Sequence, residues 1–175
     1  MIIGGVAAGM SAASKLKRLL GDAVEIVVYE KGGEVSFGAC GIPFYISDHI
    51  KQGKELIART AEEFAKSGIP VKIYHEVTAV DTDARTVTVK NLQTGEVFDD
   101  TYDKLVIGSG AGVRHFPPFD RSYTNLFEIR DVADGTRVKQ ALLDENQRHV
   151  VIVGAGFIGL ELSEACRHYG KEVTV

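Results

Sequence analysis

Cys40 stands in the run Ser36-Phe37-Gly38-Ala39-Cys40-Gly41-Ile42-Pro43-Phe44-Tyr45, and Cys166 is the only other cysteine among 175 residues. A cysteine thiolate is a nucleophile toward sulfur, and one suffices when the substrate supplies the second sulfur atom. Two glycine-rich runs frame it: Gly4-Gly5-Val6-Ala7-Ala8-Gly9 and Gly154-Ala155-Gly156-Phe157-Ile158-Gly159. The second matches G-x-G-x-x-G. Its first glycine permits a tight turn, its middle one lets backbone approach a pyrophosphate, and its third lets helix pack on strand. The first run carries Val6 where the middle glycine belongs. Glu30 supports the same reading, because it follows Gly9 by 21 residues (30 − 9), near the spacing of about 20 residues at which an acid meets a nucleotide ribose.

These residues need strands and helices to hold them. Ile2-Ile3 reads as a strand leading into the first glycine run, followed by a helix from about Ala8 to Leu20 that Gly21 stops. Val24 to Tyr29 is a β-branched run suited to a buried parallel strand, with Glu30 at its carboxyl end. The Cys40 segment is expected to open a second helix. Thr60 and Glu63 form a capping-box pattern for a short helix that Gly68 and Pro70 end. Val71–Tyr74, Val77–Asp81, Arg85–Asn91 and Glu96–Thr101 read as a sheet strand plus a small antiparallel meander, with Gln93-Thr94-Gly95 as a turn. Leu105-Val106-Ile107 is a further buried strand running into Gly108-Ser109-Gly110-Ala111. Pro117-Pro118 reads as a crossing between domains. A helix over Val132–Leu143, a strand over His149–Val153, the second glycine run, a helix to Tyr169 and a final strand complete the chain. The expected fold class is α/β: a Rossmann-like nucleotide-binding domain over residues 1–112, then a linker and the start of a second such fold over 113–175. Both ends fall within apolar strands, so the chain is expected to be a piece of a longer protein.

Composition narrows the function. A formal net charge of −4 argues against a nucleic-acid partner, which a basic surface would attract. No signal peptide or membrane-spanning run is read, and two unpaired cysteines suit a reducing cytoplasm. His49, His75, His115, His149 and His168 make no metal-ligand spacing, so no metal is expected. Cys166 lies within a predicted helix and reads as packing.

The ordered set of motifs carries a family likeness. It comprises the first glycine run, Glu30, Ser36-Phe37-x-x-Cys40-Gly41-Ile42-Pro43, His75-Glu76-Val77, Tyr102 to Ala111 and the second glycine run. The set resembles the pyridine nucleotide-disulfide oxidoreductases that use one redox cysteine, and within them the coenzyme A-disulfide reductase and NADH-dependent persulfide reductase branch. The resemblance implies that Gly4, Gly5, Val6, Ala7, Ala8, Gly9, Glu30, Lys31, Val77, Ser109, Gly110 and Ala111 line FAD. It implies that Gly154, Gly156, Phe157, Ile158, Gly159 and Glu161 face NAD(P)H, that Cys40 is the catalytic thiol, and that the protein is a homodimer. The field at a helix N-terminus would favour the thiolate of Cys40.

Ser11, Lys15 and Arg18 share one face of the first helix. With Ser36 they match positions that contact coenzyme A in the resembling enzymes. Ser109 replaces a threonine common at its position and keeps the hydroxyl. Ala39 stands where some coenzyme A-disulfide reductases have asparagine. The peroxidases and oxidases of the family, which cycle the cysteine through sulfenic acid, carry a histidine where this chain has Ala7. The favoured expectation is therefore reduction of a coenzyme A-type disulfide or persulfide. Peroxide or oxygen reduction is the alternative on the same scaffold, and a non-catalytic nucleotide-binding piece is the alternative of another class.

Overall fold

The computed structural model describes residues 1–114 and 122–175; the Pro117-Pro118 reading and His115 lie outside them. In chain order the elements are β1 (Ile2–Ile3), α1 (Ala7–Leu20), β2 (Val28–Tyr29), α2 (Ile42–Ile46), α3 (Ala61–Lys66), β3 (Val71–Lys72), β4 (His75–Asp81), β5 (Thr86–Asn91), β6 (Val97–Thr101), β7 (Val106–Ile107), α4 (Val132–Leu143), β8 (His149–Val151), α5 (Phe157–His168) and β9 (Glu172–Thr174). Short 3-10 turns occupy Gly21–Ala23, Ala39–Gly41 and Gly53–Leu56. Contacts divide the chain into two units. The first is Met1–Phe37 with Ile57–Ala111; the second is Gly38–Leu56 with Gly112–Val175, so the Cys40 segment groups with the later part of the chain.

The first unit is built on a parallel sheet of order β3-β2-β1-β7, joined in sequence by an antiparallel meander β4-β5-β6. Helix α1 turns Met10 and Ala13 toward Ile2, Val28, Val35, Phe64 and Ile69, which form its buried core. Tyr29 turns the other way, onto Val87 and Val89 of the meander, and its hydroxyl donates to Asp100 Oδ2 at 2.7 Å. Burial pushes the Tyr29 phenol up, and the acceptor Asp100 adds to the effect. Helix α3 starts on the predicted capping box: Thr60 N–H donates to Glu63 Oε2 at 2.8 Å, and Glu63 N–H returns to Thr60 Oγ1 at 3.3 Å.

Several elements differ from expectation: β3 stops at Lys72 rather than Tyr74, β7 is only partly buried with Ile107 65% exposed, and the changes at β2 and at Cys40 each trace to a proline. Strand β2 covers Val28–Tyr29 rather than Val24 to Tyr29. Its partner β3 begins only at Val71, behind Pro70, whose carbonyl accepts from Val28 N–H at 3.0 Å but whose nitrogen carries no hydrogen to extend the ladder. The helix expected to open at Cys40 starts at Ile42 instead. Pro43 lacks the N–H that would reach back four residues to the Ala39 carbonyl. Ile42 N–H bonds that carbonyl from three residues away, which places Cys40 in a 3-10 turn.

In the second unit α2 packs with α4 and α5. Tyr45 and Thr136 share a hydroxyl bond of 3.1 Å, Tyr169 Oη donates to the Ile46 carbonyl at 2.9 Å, and Lys139 Nζ lies 4.5 Å from the Tyr45 ring centroid. Strands β8 and β9 pair in parallel around α5, with His149 opposite Glu172. Helix α4 has a second capping box, Asp131 with Asp134, that the sequence reading did not single out. No helix among the described residues is long and apolar enough to cross a membrane.

Candidate functional site

The first glycine turn is shaped by close backbone approach. Gly4 adopts φ +101°, and a Cβ there would run into the Gly108 carbonyl. A Cβ on Gly9 would run into the Gly4 carbonyl and stand 3.2 Å from Ile2 Cγ2. The second turn repeats the left-handed φ and the third-glycine contact, while nothing lies within 4 Å of where a Gly154 Cβ would be. Gly154 has φ +119°, and a Cβ on Gly159 would meet the Gly154 carbonyl and stand 3.3 Å from Ile152 Cγ2. Every one of these positions is offset by 150 residues (152 − 2, 154 − 4, 159 − 9). The middle positions differ. Val6 caps α1 at φ −104°, outside the left-handed region that favours glycine, whereas Gly156 caps α5 with nothing within 4 Å of where a Cβ would be. Gly156 is thus not required by the chain's own packing.

Helices α1 and α5 share another property. Neither has a side-chain cap at its N-terminus or an acid in its first turn, while α3 and α4 each have a complete capping box and first-turn acids. The first-turn amides of α1 and α5 keep their positive end of the helix dipole uncompensated, which is the arrangement that receives an anion. Ala7 and Ala8, at the start of α1, are exposed, as are Phe157 and Ile158 at the start of α5.

Glu30 lies at the carboxyl end of β2 and is 8% exposed. Its Oε2 accepts from Gly5 N–H at 2.5 Å and its Oε1 from Gly32 N–H at 2.7 Å. A cavity of about 150 Å³ opens beside it, lined by Gly4, Lys31, His75, Val77 and Ser109 together with Ile3, Tyr29 and Glu76. The sequence-derived positions Gly4, Glu30, Lys31, Val77 and Ser109 are therefore gathered at one place. Gly110, at φ +70°, and Ala111 follow directly and are exposed. His75 was quoted only as part of a motif, yet its ring is a wall of the cavity. Its Nδ1 lies 2.7 Å from the Ile73 carbonyl, which can only accept, so Nδ1 is the donor.

Ser11, Lys15 and Arg18 are exposed along α1, while Lys17 is held at 2.9 Å by Asp22. Ser36 takes φ +51°, donates its N–H to the Gly5 carbonyl at 2.9 Å and accepts from Ala58 N–H at 2.9 Å. In the second unit Cys40 is exposed and Cys166 buried. Burial pushes the Cys166 thiol up, against a smaller opposite pull from Lys171. Glu161 is exposed on α5 and lines a groove of about 580 Å³ with Pro43, Ser47, His49, Glu164 and His168. The His49–His168 approach, 5.8 Å between ring centroids, had no sequence signal, because the two belong to distant elements. Among the described residues no three His, Cys, Asp or Glu side chains group as metal ligands.

Two glycine turns on βα units, with a buried acid at the end of the strand adjoining the first, are the features of a dinucleotide-binding fold. Residues 1–175 match the pyridine nucleotide-disulphide oxidoreductase family, and the chain belongs to it. It is 37% identical over 176 residues to a coenzyme A disulfide reductase of Staphylococcus haemolyticus, covering 100% of this chain and 39% of that protein. The chain thus spans about two fifths of the length of the curated relatives it matches. Its fold superimposes on an NAD-dependent persulfide reductase from A. fulgidus with a TM-score of 0.92 at 31% identity, over 99% of this chain and 33% of the other. A water-forming NADH oxidase from Lactobacillus brevis, solved with NADH, gives 0.87 at 30% identity over 98% and 38% of the two chains.

Proposed function

We propose that the chain carries the FAD-binding domain (residues 1–112) and the first part of the NAD(P)-binding domain (113–175) of an NAD(P)H-driven reductase acting on coenzyme A disulfide or a related persulfide, with Cys40 as its redox centre. The observation that carries this reading is the capping contrast. The helices after the two glycine turns start without a side-chain cap or a first-turn acid, as does the five-residue α2 with Pro43 in its first turn, while α3 and α4 start on closed capping boxes. Similarity to coenzyme A disulfide and persulfide reductases supports the substrate class.

The residues present fit FAD. Each Glu30 oxygen holds one backbone N–H and retains a lone pair, so the carboxylate can accept from ribose hydroxyls without releasing the turn it supports. Amides at the start of α1 would take the pyrophosphate, and Lys31, Val77, Ser109, Gly110 and Ala111 would line the remainder. FAD held there would supply the two-electron relay between NAD(P)H and a sulfur acceptor. Gly154, Gly156, Phe157, Ile158, Gly159 and Glu161 would hold the nicotinamide nucleotide, the open space at Gly156 admitting its phosphates.

At Cys40 the thiolate attacks one sulfur of the substrate disulfide, whose S–S bond breaks, and one thiolate leaves. A mixed disulfide remains on Cys40. The hydride equivalent of NAD(P)H, two electrons and a proton, cleaves it to the Cys40 thiolate and a second free thiol. Lys15 and Arg18, exposed beside Ser11 on α1, and Ser36 would meet the phosphates and polar groups of a coenzyme A moiety. The reading carries with it a homodimer in a reducing cytoplasm.

A second reading draws on the likeness to the Lactobacillus oxidase: peroxide oxidises Cys40 to sulfenic acid with release of one water, and two electrons from NAD(P)H with two protons return the thiol and release a second. Ala7 supplies no imidazole for that proton transfer. The discriminating experiment measures NAD(P)H oxidation by the FAD-loaded full-length protein with coenzyme A disulfide, persulfide, peroxide and oxygen in turn. Cys40→Ser is run alongside. Disulfide- or persulfide-dependent turnover that disappears in Cys40→Ser is expected. Faster turnover with peroxide or oxygen would favour the second reading. Identical flavin bleaching in wild type and variant would remove Cys40 from the chemistry altogether.

A further inference from the structure

Tyr74 has φ +57°, a conformation that bulky L-residues adopt only where the surroundings enforce it. Three contacts enforce it. Its N–H donates to the Gly32 carbonyl at 3.0 Å, and its carbonyl accepts from Leu92 N–H at 2.7 Å. The hydroxyl end of its ring lies so close over Gly33 that a Cβ on that glycine would run into the Tyr74 hydroxyl and stand 2.5 Å from Cζ. Gly32, whose carbonyl Tyr74 holds, is the residue whose own N–H reaches Glu30 Oε1 at 2.7 Å. The next residue, His75, donates its N–H to the Glu30 carbonyl at 2.9 Å. The strained residue therefore grips the loop after β2 from one side while its neighbour grips Glu30 from the other.

We propose that Tyr74 is a positioning residue for the cofactor's adenosine half. Its strained backbone and its ring on Gly33 fix the Gly32 amide, and that amide orients the Glu30 carboxylate into the cavity. The inference rests on the reading of Glu30 as the ribose acceptor. It explains why an unfavourable conformation is kept at this point: strain at Tyr74 is exchanged for a carboxylate preorganised before the nucleotide arrives. It also gives Gly33 a role that no glycine motif assigns, namely leaving room for the ring.

FAD affinity of the full chain, read by flavin fluorescence, tests this in wild type, Tyr74→Gly, Glu30→Gln and the double variant, with melting temperature recorded for each. Tyr74→Gly is expected to weaken FAD binding roughly tenfold through lost preorganisation. In the Glu30→Gln background the same change is expected to have no further effect on affinity, because Tyr74 acts through that carboxylate. Tyr74→Phe keeps the ring and is expected to bind like wild type. Gly33→Ala displaces the ring while leaving Tyr74 in place and is expected to match Tyr74→Gly, which keeps the test available if the latter folds poorly.

Wild-type affinity in both Tyr74→Gly and Gly33→Ala, or full additivity of Tyr74→Gly with Glu30→Gln, overturns the proposal while leaving Glu30 as ribose acceptor. A Glu30→Gln variant that binds FAD like wild type overturns that underlying reading instead, and the positioning role with it.

Discussion

The buried carboxylate of Glu30 receives the Gly5 amide at 2.5 Å, and the carbonyl of the same Gly5 receives the Ser36 amide at 2.9 Å. One glycine of the first turn is thus clamped through both peptide groups that flank it: its N–H by the residue that follows β2, and its carbonyl by the first residue of the Ser-Phe-x-x-Cys run. The candidate ribose acid is therefore also a structural acid.

Glu30→Gln follows directly. A glutamine side chain offers one acceptor oxygen where the carboxylate offers two, so either Gly5 or Gly32 loses its buried partner. A stability loss of about 1–3 kcal/mol is expected from the unpaired N–H, together with weaker FAD binding. Urea unfolding of the apo protein and a flavin titration measure the two effects separately.

Glycines in the two turns should fail in different ways. Gly4→Ala meets both a left-handed φ and the Gly108 carbonyl, so it is expected to cost upward of about 2 kcal/mol and to lower the melting temperature by several degrees. Gly156→Ala meets open space at φ −77°, so the melting temperature should hold while NAD(P)H affinity falls. An equal loss of melting temperature in both variants would contradict the distinction.

The two thiols should separate by reactivity. Cys40 is exposed, whereas Cys166 is 3% exposed and its thiol is pushed up by burial. A chromogenic disulfide reagent at neutral pH is expected to label Cys40 at once and Cys166 only on unfolding. Cys40→Ser should remove the fast phase with no change in melting temperature.

Asp48 should shape the acid limb of stability. Lys139 and then Lys51 donate to its carboxylate at 2.9 and 2.5 Å and hold its carboxyl down at about 2 from an ordinary 3.8. A lowered folded-state value means that the contribution is full above the unfolded value near 3.8 and is lost as pH falls through about 2. Stability measured from pH 5 to 2 should therefore fall less steeply in Asp48→Asn than in wild type, although Asp22 and Asp144, also held down by their partners, will leave a residual slope.

Charge on α1 should register only with a phosphate-bearing substrate. Reversing Lys15 and Arg18 to glutamate is expected to raise KM for coenzyme A disulfide about tenfold or more while sparing a phosphate-free disulfide. Parallel kinetics on the two substrates decide it.

Much of this arrangement is legible in the residues because the signals are local. Thr60 with Glu63, the helix at Val132–Leu143 and both glycine turns each depend on neighbours within a few positions. The extent of β2 was not legible, because it depends on where Pro70 falls in a strand more than forty residues away (70 − 28 = 42). The 3-10 turn at Cys40 could have been read, since Pro43 removes one specific hydrogen bond, had the missing donor been traced back to Ala39. The Tyr74 conformation and the His49–His168 approach come from tertiary contacts that no spacing rule encodes.

The 150-residue correspondence of Ile2, Gly4 and Gly9 with Ile152, Gly154 and Gly159 makes each turn an internal standard for the other. Backbone amide resonances of Gly9 and Gly159 should drift together with temperature, since each packs on the carbonyl five residues before it and on the isoleucine seven residues before it. They should part company when a ligand enters one of them. Spectra of this one chain thereby contain their own blank, and occupancy of either nucleotide site can be read as a difference between two copies of one glycine contact.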